Sequence, residues 1–148
     1  MMSVIHSMAI SDYRVAATTH YQGSYLTEIV AQDAHQKLPS SNDHLAILLE
    51  PSPKVIGYIK KKQPDTHLVG FKLLSQVSVD ILVRVAQNLM IKNDCSFVVA
   101  NDAADISGDR KDRGYIVDEK GIMKQYETKE TLAQGILQEV QSLWIKNQ

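Results

Sequence analysis

The amino-acid sequence predicts an α/β fold: a Rossmann-like, mainly parallel sheet with flanking helices and a β-hairpin extension. Three observations carry that expectation. Two short apolar runs, Leu68 to Leu74 and Phe97 to Ala100, are continuous rather than alternating, as strands covered on both faces of a sheet are. Between them Ile81, Leu82, Val85, Ala86, Leu89 and Met90 recur at helical spacing, so the stretch reads strand, helix, strand. Both runs release polar residues at their carboxyl ends, and open α/β sheets bind ligands in the crevice outside those ends. Phe71 and Lys72 on one run and Asn101 and Asp102 on the other are where a site is sought, with ordinary loop polarity as the alternative.

Bulk properties narrow the function classes. The 148 residues are expected to form one domain, 1–148, with a substantial core. Sixteen basic against 17 acidic residues give a formal net charge of -1, which offers no basic excess for nucleic acid or an anionic membrane. The only cysteine, Cys95, cannot form an internal disulfide, and no apolar run approaches the roughly 20 residues that span a bilayer. A cytoplasmic protein is the expectation. The opening MMSVIHSMAI lacks the parts of a secretory signal and reads as a buried strand. Domains seldom open directly on an interior strand, so an incomplete domain is expected.

After that first strand, Ser11 to Gln36 mixes Thr, Gly, Asp and short apolar clusters and reads as an irregular excursion, with helical character from Tyr25 to Ala34. His44 to Leu49 reads as a strand. Glu50-Pro51-Ser52-Pro53 breaks it, and Ser52 is expected to cap a helix that takes Pro53 in its first turn. That helix carries Val55, Ile56 and Ile59 on one side and ends at Lys60-Lys61-Lys62 before Gln63-Pro64. In the next helix, Ser78 to Lys92, the spacing of four puts Arg84, Asn88 and Lys92 in one row beside the buried stripe. A polar loop runs from Asn101 to Arg113. Gly114 to Val117 and Ile122 to Tyr126, joined by Asp118-Glu119-Lys120-Gly121, form a hairpin. Thr128 caps a last helix that buries Leu132, Ile136, Val140 and Leu143 and packs Trp144 at its end.

Several residues offer chemistry beside a plainer role. Asp12, in Ser11-Asp12-Tyr13-Arg14 after the first strand, suits a ribose hydroxyl, a base or a metal-bound water, and equally a turn. Lys37 can reach a triphosphate or stand as a solvated surface lysine. Pro53 to Ile56 open a helix whose free amides suit a phosphate, a base edge or simple capping. Phe71 suits a base or the core. Lys92 suits a phosphate or the helix dipole. The five histidines have no metal-ligand spacing and Cys95 has no cysteine neighbour, so no structural zinc site is expected. GxSxG, GxxxxGKS/T and GxGxxG are absent, so any phosphate is held by dispersed residues rather than one glycine-rich loop.

Together these segments resemble the phosphopantothenate-cysteine ligase family. SMAISDYR is similar to that family's strand and AxxADYR-type loop, and Lys37 falls where its lysine loop begins. PSPKVI resembles its NPDIV helix start and LVGFKLL its VGFAAET strand, after which Ile91-Lys92-Asn93-Asp94 and VVAND follow in register. HSMAISDY and GFKLL also resemble the separately encoded ligases of lactic-acid bacteria and streptococci. The likeness runs from about Val4 to about Val140.

The resemblance implies a place in coenzyme A biosynthesis. In the implied reaction, 4'-phosphopantothenate attacks the α-phosphate of CTP to give an acyl-cytidylate and pyrophosphate, then cysteine's amine displaces CMP, with Mg2+ assisting. By the same resemblance His6, Ser7 and Met8 line the nucleotide through backbone and Asp12 contacts it. Pro53, Lys54, Val55, Ile56 and Phe71 surround base and sugar. Lys37 and Lys92 approach phosphates, with Lys37 the catalytic source of transition-state charge, and the metal's ligands stay unknown. Asn88 stands one helical turn before Lys92, where many members carry a second lysine, a contact Arg84 can supply. Lys54 replaces the usual Asp of NPDI. The family's glycine-rich first half and its acyl-handling asparagine are not in this sequence, so the chain resembles the C-terminal two-thirds of a ligase. Two alternatives stand beside an active ligase: a nucleotide-binding or dimerising fragment without catalysis, and a flavodoxin-like binding protein. The family dimerises around the lysine loop, so a homodimer is expected.

Overall fold

A computed structural model describes residues 2–8, 10–20, 45–106 and 114–146. In chain order its elements are β1 (Ser3–His6), β2 (Tyr13–His20), β3 (Leu45–Pro51), α1 (Ile56–Lys62), β4 (His67–Leu74), α2 (Val79–Asn93), β5 (Phe97–Asp102), α3 (Ala103–Ile106), β6 (Gly114–Asp118), β7 (Gly121–Tyr126) and α4 (Lys129–Ile145). They belong to two compact units, Met1–Met8 with Val55–Gln148, and Ala9–Lys54.

The first unit holds a five-stranded sheet in the order β1-β4-β5-β6-β7. β1, β4 and β5 pair in parallel, β6 runs antiparallel to β5, and β7 antiparallel to β6, so every strand except β6 points the same way. This is the Rossmann-like, mainly parallel architecture expected, with the hairpin extending the same sheet. Alternation along the strands explains the continuous apolar runs. Leu68, Val98, Ala100, Tyr115 and Val117 meet Leu82, Ala86 and Met90 of α2 on one face. Val69, Phe97, Val99 and Ile116 meet Leu132 and Ile136 of α4 on the other. Leu68, Val69, Val98, Val99, Ile116 and Val117 are 0 % exposed. Burying each such side chain contributes about 1.5–3 kcal/mol.

The helix ends follow local chemistry. Ser78 caps α2 by accepting the Ile81 amide at 3.4 Å, and Asp94 closes it in the left-handed conformation with φ 52. Ile81 is 42 % exposed rather than buried. Each residue step turns the helix by about 100°, which leaves Ile81 beside the Leu82-Ala86-Met90 stripe instead of on it. Thr128 and Thr131 form a reciprocal capping box at the start of α4. At its far end Trp144 Nε1 donates to Ser3 Oγ at 2.6 Å, tying α4 to β1. In the hairpin turn Asp118 Oδ1 accepts the amides of Lys120 and Gly121 at 2.8 and 3.1 Å, and Gly121 adopts φ 123.

Two expectations about this unit are corrected. Ser52 does not cap α1, which begins at Ile56 with no side-chain cap. Ser52 is held instead at the end of the β2-β3 ribbon, where its amide donates to the Asp12 carbonyl at 2.8 Å, and the helix starts three residues later with Val55 as its N-cap. The first strand is the half-buried edge of the sheet, with Ile5 43 % exposed, rather than an interior strand. The lysine run does close α1, where Lys60 Nζ donates to the Pro64 carbonyl at 2.9 Å and pairs with Asp94 at 3.1 Å.

The second unit contains the antiparallel ribbon β2-β3. The regular strand β2 replaces part of the expected irregular excursion, and its register shifts between Val15 and Ala17. Tyr13, Val15, Ile47 and Leu49 are exposed on this ribbon. The helix expected over Tyr25 to Ala34 lies outside the described residues.

Candidate functional site

The carboxyl ends of β1, β4 and β5 share one edge of the first unit's sheet. β1 ends with His6 level with Gly70 of β4, and β4 continues to Leu74 paired with β5 alone. This leaves a step at the sheet edge, onto which the chain leads through the exposed Ser7 and Met8. Such a step outside parallel strand ends is where α/β sheets receive ligands.

Asp102 organises the neighbouring strand end. Its carboxylate is buried and accepts backbone amides from Gln76 and Val77 at 2.9 Å each and from Ala104 at 2.8 Å. These bonds, that of Val77 foremost, hold the carboxyl below its ordinary value against the opposing effect of burial. The residue that sequence offers as a ligand at the strand end is therefore committed to holding the turn between β4 and α2.

Phe71 is half-buried and packs with the apolar cluster facing α4, whereas Ile56 packs on the opposite face with α2. The two residues expected around a base thus approach the sheet edge from different faces. Val55 is exposed immediately before α1.

Arg84, Asn88 and Lys92 form the expected exposed row on α2. Gln87 donates to the carbonyls of Asp118 and Glu119 at 3.2 and 3.1 Å, so its flank of α2 faces the hairpin. Asn88 and Lys92 lie off that flank, and Leu89 beside them reaches to 3.4 Å of where a side chain on Gly70 would stand. Because α2 runs back from the carboxyl edge, Lys92 sits about one turn, roughly 5.4 Å, farther from that edge than Asn88. Arg84 is the cation of the row nearest the edge.

In the second unit, Asp12 and Lys54 are brought together directly by an ion pair between Oδ1 and Nζ. The Ser52 amide donates to the Asp12 carbonyl at 2.8 Å, and Arg14 pairs with Glu50 at 2.6 Å. These bonds close the root of the ribbon and bring Asp12 to the exposed Pro53-Lys54 segment. Lys37 lies outside the described residues. Among the described residues there is no group of three His, Cys, Asp or Glu side chains that could hold a metal, and no helix long and apolar enough to cross a membrane.

One feature was missed in the sequence. His6 Nε2 is shut off from solvent and has no hydrogen-bond partner. Its alternation with Val4, two residues earlier on the buried α1 and α2 face, is the signal that places the imidazole there.

Residues 1–143 match the family model of the DNA/pantothenate metabolism flavoprotein C-terminal domain. The chain belongs to this family. The match bears out the resemblance to phosphopantothenate-cysteine ligases at the level of the family. The chain is 32 % identical over 98 residues to the coenzyme A biosynthesis bifunctional protein CoaBC of Thermococcus kodakarensis, covering 66 % of this chain and 20 % of that protein. It is 24 % identical over 141 residues to CoaBC of Methanocaldococcus jannaschii, covering 95 % of this chain and 31 % of that protein. The chain therefore spans between a fifth and a third of the length of these relatives.

Among solved structures, the DNA/pantothenate metabolism flavoprotein of Streptococcus pneumoniae superposes with a TM-score of 0.82 at 35 % identity, over 96 % of this chain and 63 % of that one. A Cab2 mutant in complex with phosphopantothenate-cysteine shares the fold at a TM-score of 0.52 and 19 % identity, over 69 % of this chain and 33 % of that one.

Proposed function

We propose that the chain binds CTP and serves the joining of 4'-phosphopantothenate to cysteine in coenzyme A biosynthesis. The observation that carries this reading is the match of residues 1–143 to a pantothenate-metabolism family. It is supported by the step at the carboxyl edge of β1 and β4, where such sheets receive ligands. The carboxylate of phosphopantothenate attacks the α-phosphorus, forming an acyl-cytidylate as pyrophosphate leaves. Cysteine's amine then forms the amide bond as CMP leaves and the amine gives up its proton.

The contact set is proposed by unit. In the first, the backbone of His6, Ser7 and Met8, the segment Val55-Ile56, and Phe71 meet the nucleotide, while the row of Arg84, Asn88 and Lys92, running back along α2 from the edge, meets phosphates. In the second, Asp12, Pro53 and Lys54 meet base and sugar, and Lys37 steadies charge at the reacting phosphate. Mg2+ would be carried by the triphosphate rather than held by a cage of protein ligands. Bound there it would neutralise phosphate charge, and Asp12, paired with Lys54, is the exposed carboxylate of the set that would face it. A cytoplasmic protein fits this role.

We further propose a homodimer. Tyr13, Val15, Ile47 and Leu49 are large apolar side chains exposed on one ribbon, and sedimentation in solution reads the assembly directly.

Pyrophosphate release from CTP, phosphopantothenate and cysteine tests the reaction. Release by this chain supports a complete ligase. CTP binding without release supports a nucleotide-binding part without catalysis of its own. Failure to bind CTP contradicts both.

A further inference from the structure

His6 closes the edge strand β1 at the carboxyl edge of the sheet. Strand residues two apart share a face, so its imidazole lies with Val4 on the side where Ile56 and Ile59 of α1 pack. There Nε2 is sealed from water and has no hydrogen-bond partner, the sole side-chain atom so placed among the described residues. Buried polar atoms are nearly always paired, because an unpaired one forfeits its hydration for nothing. An apolar side chain at this position would avoid that cost, so fold stability does not explain a histidine. Its place at a parallel strand end, where ligands of such sheets bind, does.

We propose that His6 Nε2 is a specificity-determining contact that hydrogen-bonds the polar edge of the pyrimidine base. The inference rests on the CTP reading above and goes beyond it by giving the side chain, not the backbone, the discriminating role. Cytosine presents a bare N3 and a 4-amino donor, whereas uracil presents an N3 donor and a 4-carbonyl acceptor. Donor and acceptor exchange places between the two edges, so an imidazole nitrogen in one tautomer, facing one fixed position of the edge, pairs with one base and is left unpaired by the other. Sites built around a buried polar contact reject a mismatched ligand for that reason.

The test titrates CTP and UTP by calorimetry into the full chain and its His6→Phe and His6→Gln variants, with thermal melts alongside. His6→Phe is expected to melt no lower than the parent yet to lose about tenfold in CTP affinity, with the preference for CTP over UTP collapsing toward one. His6→Gln, whose amide reaches the position of Nε2, is expected to keep part of that preference. If His6→Phe unfolds, the preference measured in His6→Gln decides. A parent that binds CTP while both variants keep affinity and preference within about twofold overturns the role of His6 and leaves the CTP reading standing. A parent that does not bind CTP overturns the CTP reading and the inference with it.

Discussion

The carboxylate of Asp102 accepts the backbone amide of Gln76 at 2.9 Å, and Gln76 is held there in the left-handed conformation at φ 57. A residue with a side chain adopts that backbone at a cost, which the buried carboxylate offsets by bonding Val77 and Ala104 as well. The end of β5 thus fixes the shape of the turn that follows β4, two elements that are paired side by side in the sheet.

Stability is predicted to depend on pH through Asp102. Its carboxyl is held below the ordinary value, so in acid the unfolded chain takes up the proton first. The contribution is complete above the unfolded value of about 3.9 and is lost as pH falls through the lower folded value. Asp102→Asn is expected to melt roughly 5 °C lower at pH 7 and to show a shallower decline below about pH 4. Thermal melts between about pH 2.5 and 7 check both parts, and an unchanged acid limb would contradict this role.

Burial and the neighbouring Asp94 push the Cys95 thiol up to about 11, against a smaller lowering effect of Lys60. The folded thiol is therefore expected to resist a thiolate-directed reagent at pH 8 and to react at the rate of a free cysteine only in denaturant. The unfolded chain ionises first as pH rises from the ordinary thiol value near 9 toward 11, so this group's share of stability is lost across that window. Fast labelling of folded protein at pH 8 would contradict its burial.

The hairpin and α4 meet without room for a methyl group. A Cβ on Gly135 would come within 2.2 Å of the Tyr126 ring. Gly135→Ala is expected to cost about 1–3 kcal/mol despite the better helix propensity of alanine. In a Tyr126→Leu background the same change is expected to be neutral or stabilising by up to about 1 kcal/mol. Chemical denaturation of the four proteins measures the coupling, and additive effects would contradict the packing.

Legibility in the sequence followed burial. β4, α2, β5 and the hairpin could be read because both faces of their sheet are covered, which imposes continuous apolar runs and a helical stripe. β2 could not, because its Tyr13 and Val15 stay exposed, Arg14 pairs with Glu50 across the ribbon, and Ala17 is its one buried side chain among the described residues, too little to imprint alternation. The failure of Ser52 as a cap lies in its bond to Asp12 across the end of the ribbon, a long-range contact that local Ser-Pro chemistry does not reveal. At the candidate site, Asp102 and the Arg84-Asn88-Lys92 row could be located from strand ends and helical spacing. The ion pair of Asp12 with Lys54 could not, since it joins residues on either side of the ribbon whose proximity depends on β2.

That ion pair is expected to matter little to stability. Both side chains are exposed, and pairs of this kind contribute between about 0 and 1 kcal/mol. Lys54→Ala should therefore melt within about 2 °C of the parent. If the segment meets the nucleotide through its backbone, the variant also keeps CTP affinity within about threefold. A loss of tenfold or more would assign the contact to the lysine side chain.

Whether the chain binds CTP is read by calorimetric titration of CTP with Mg2+ into the 148-residue chain and its Lys92→Ala variant. Saturable binding by the parent, weakened about tenfold by removal of the lysine, is the predicted result. No binding of CTP by the parent would contradict a nucleotide-binding role for the chain.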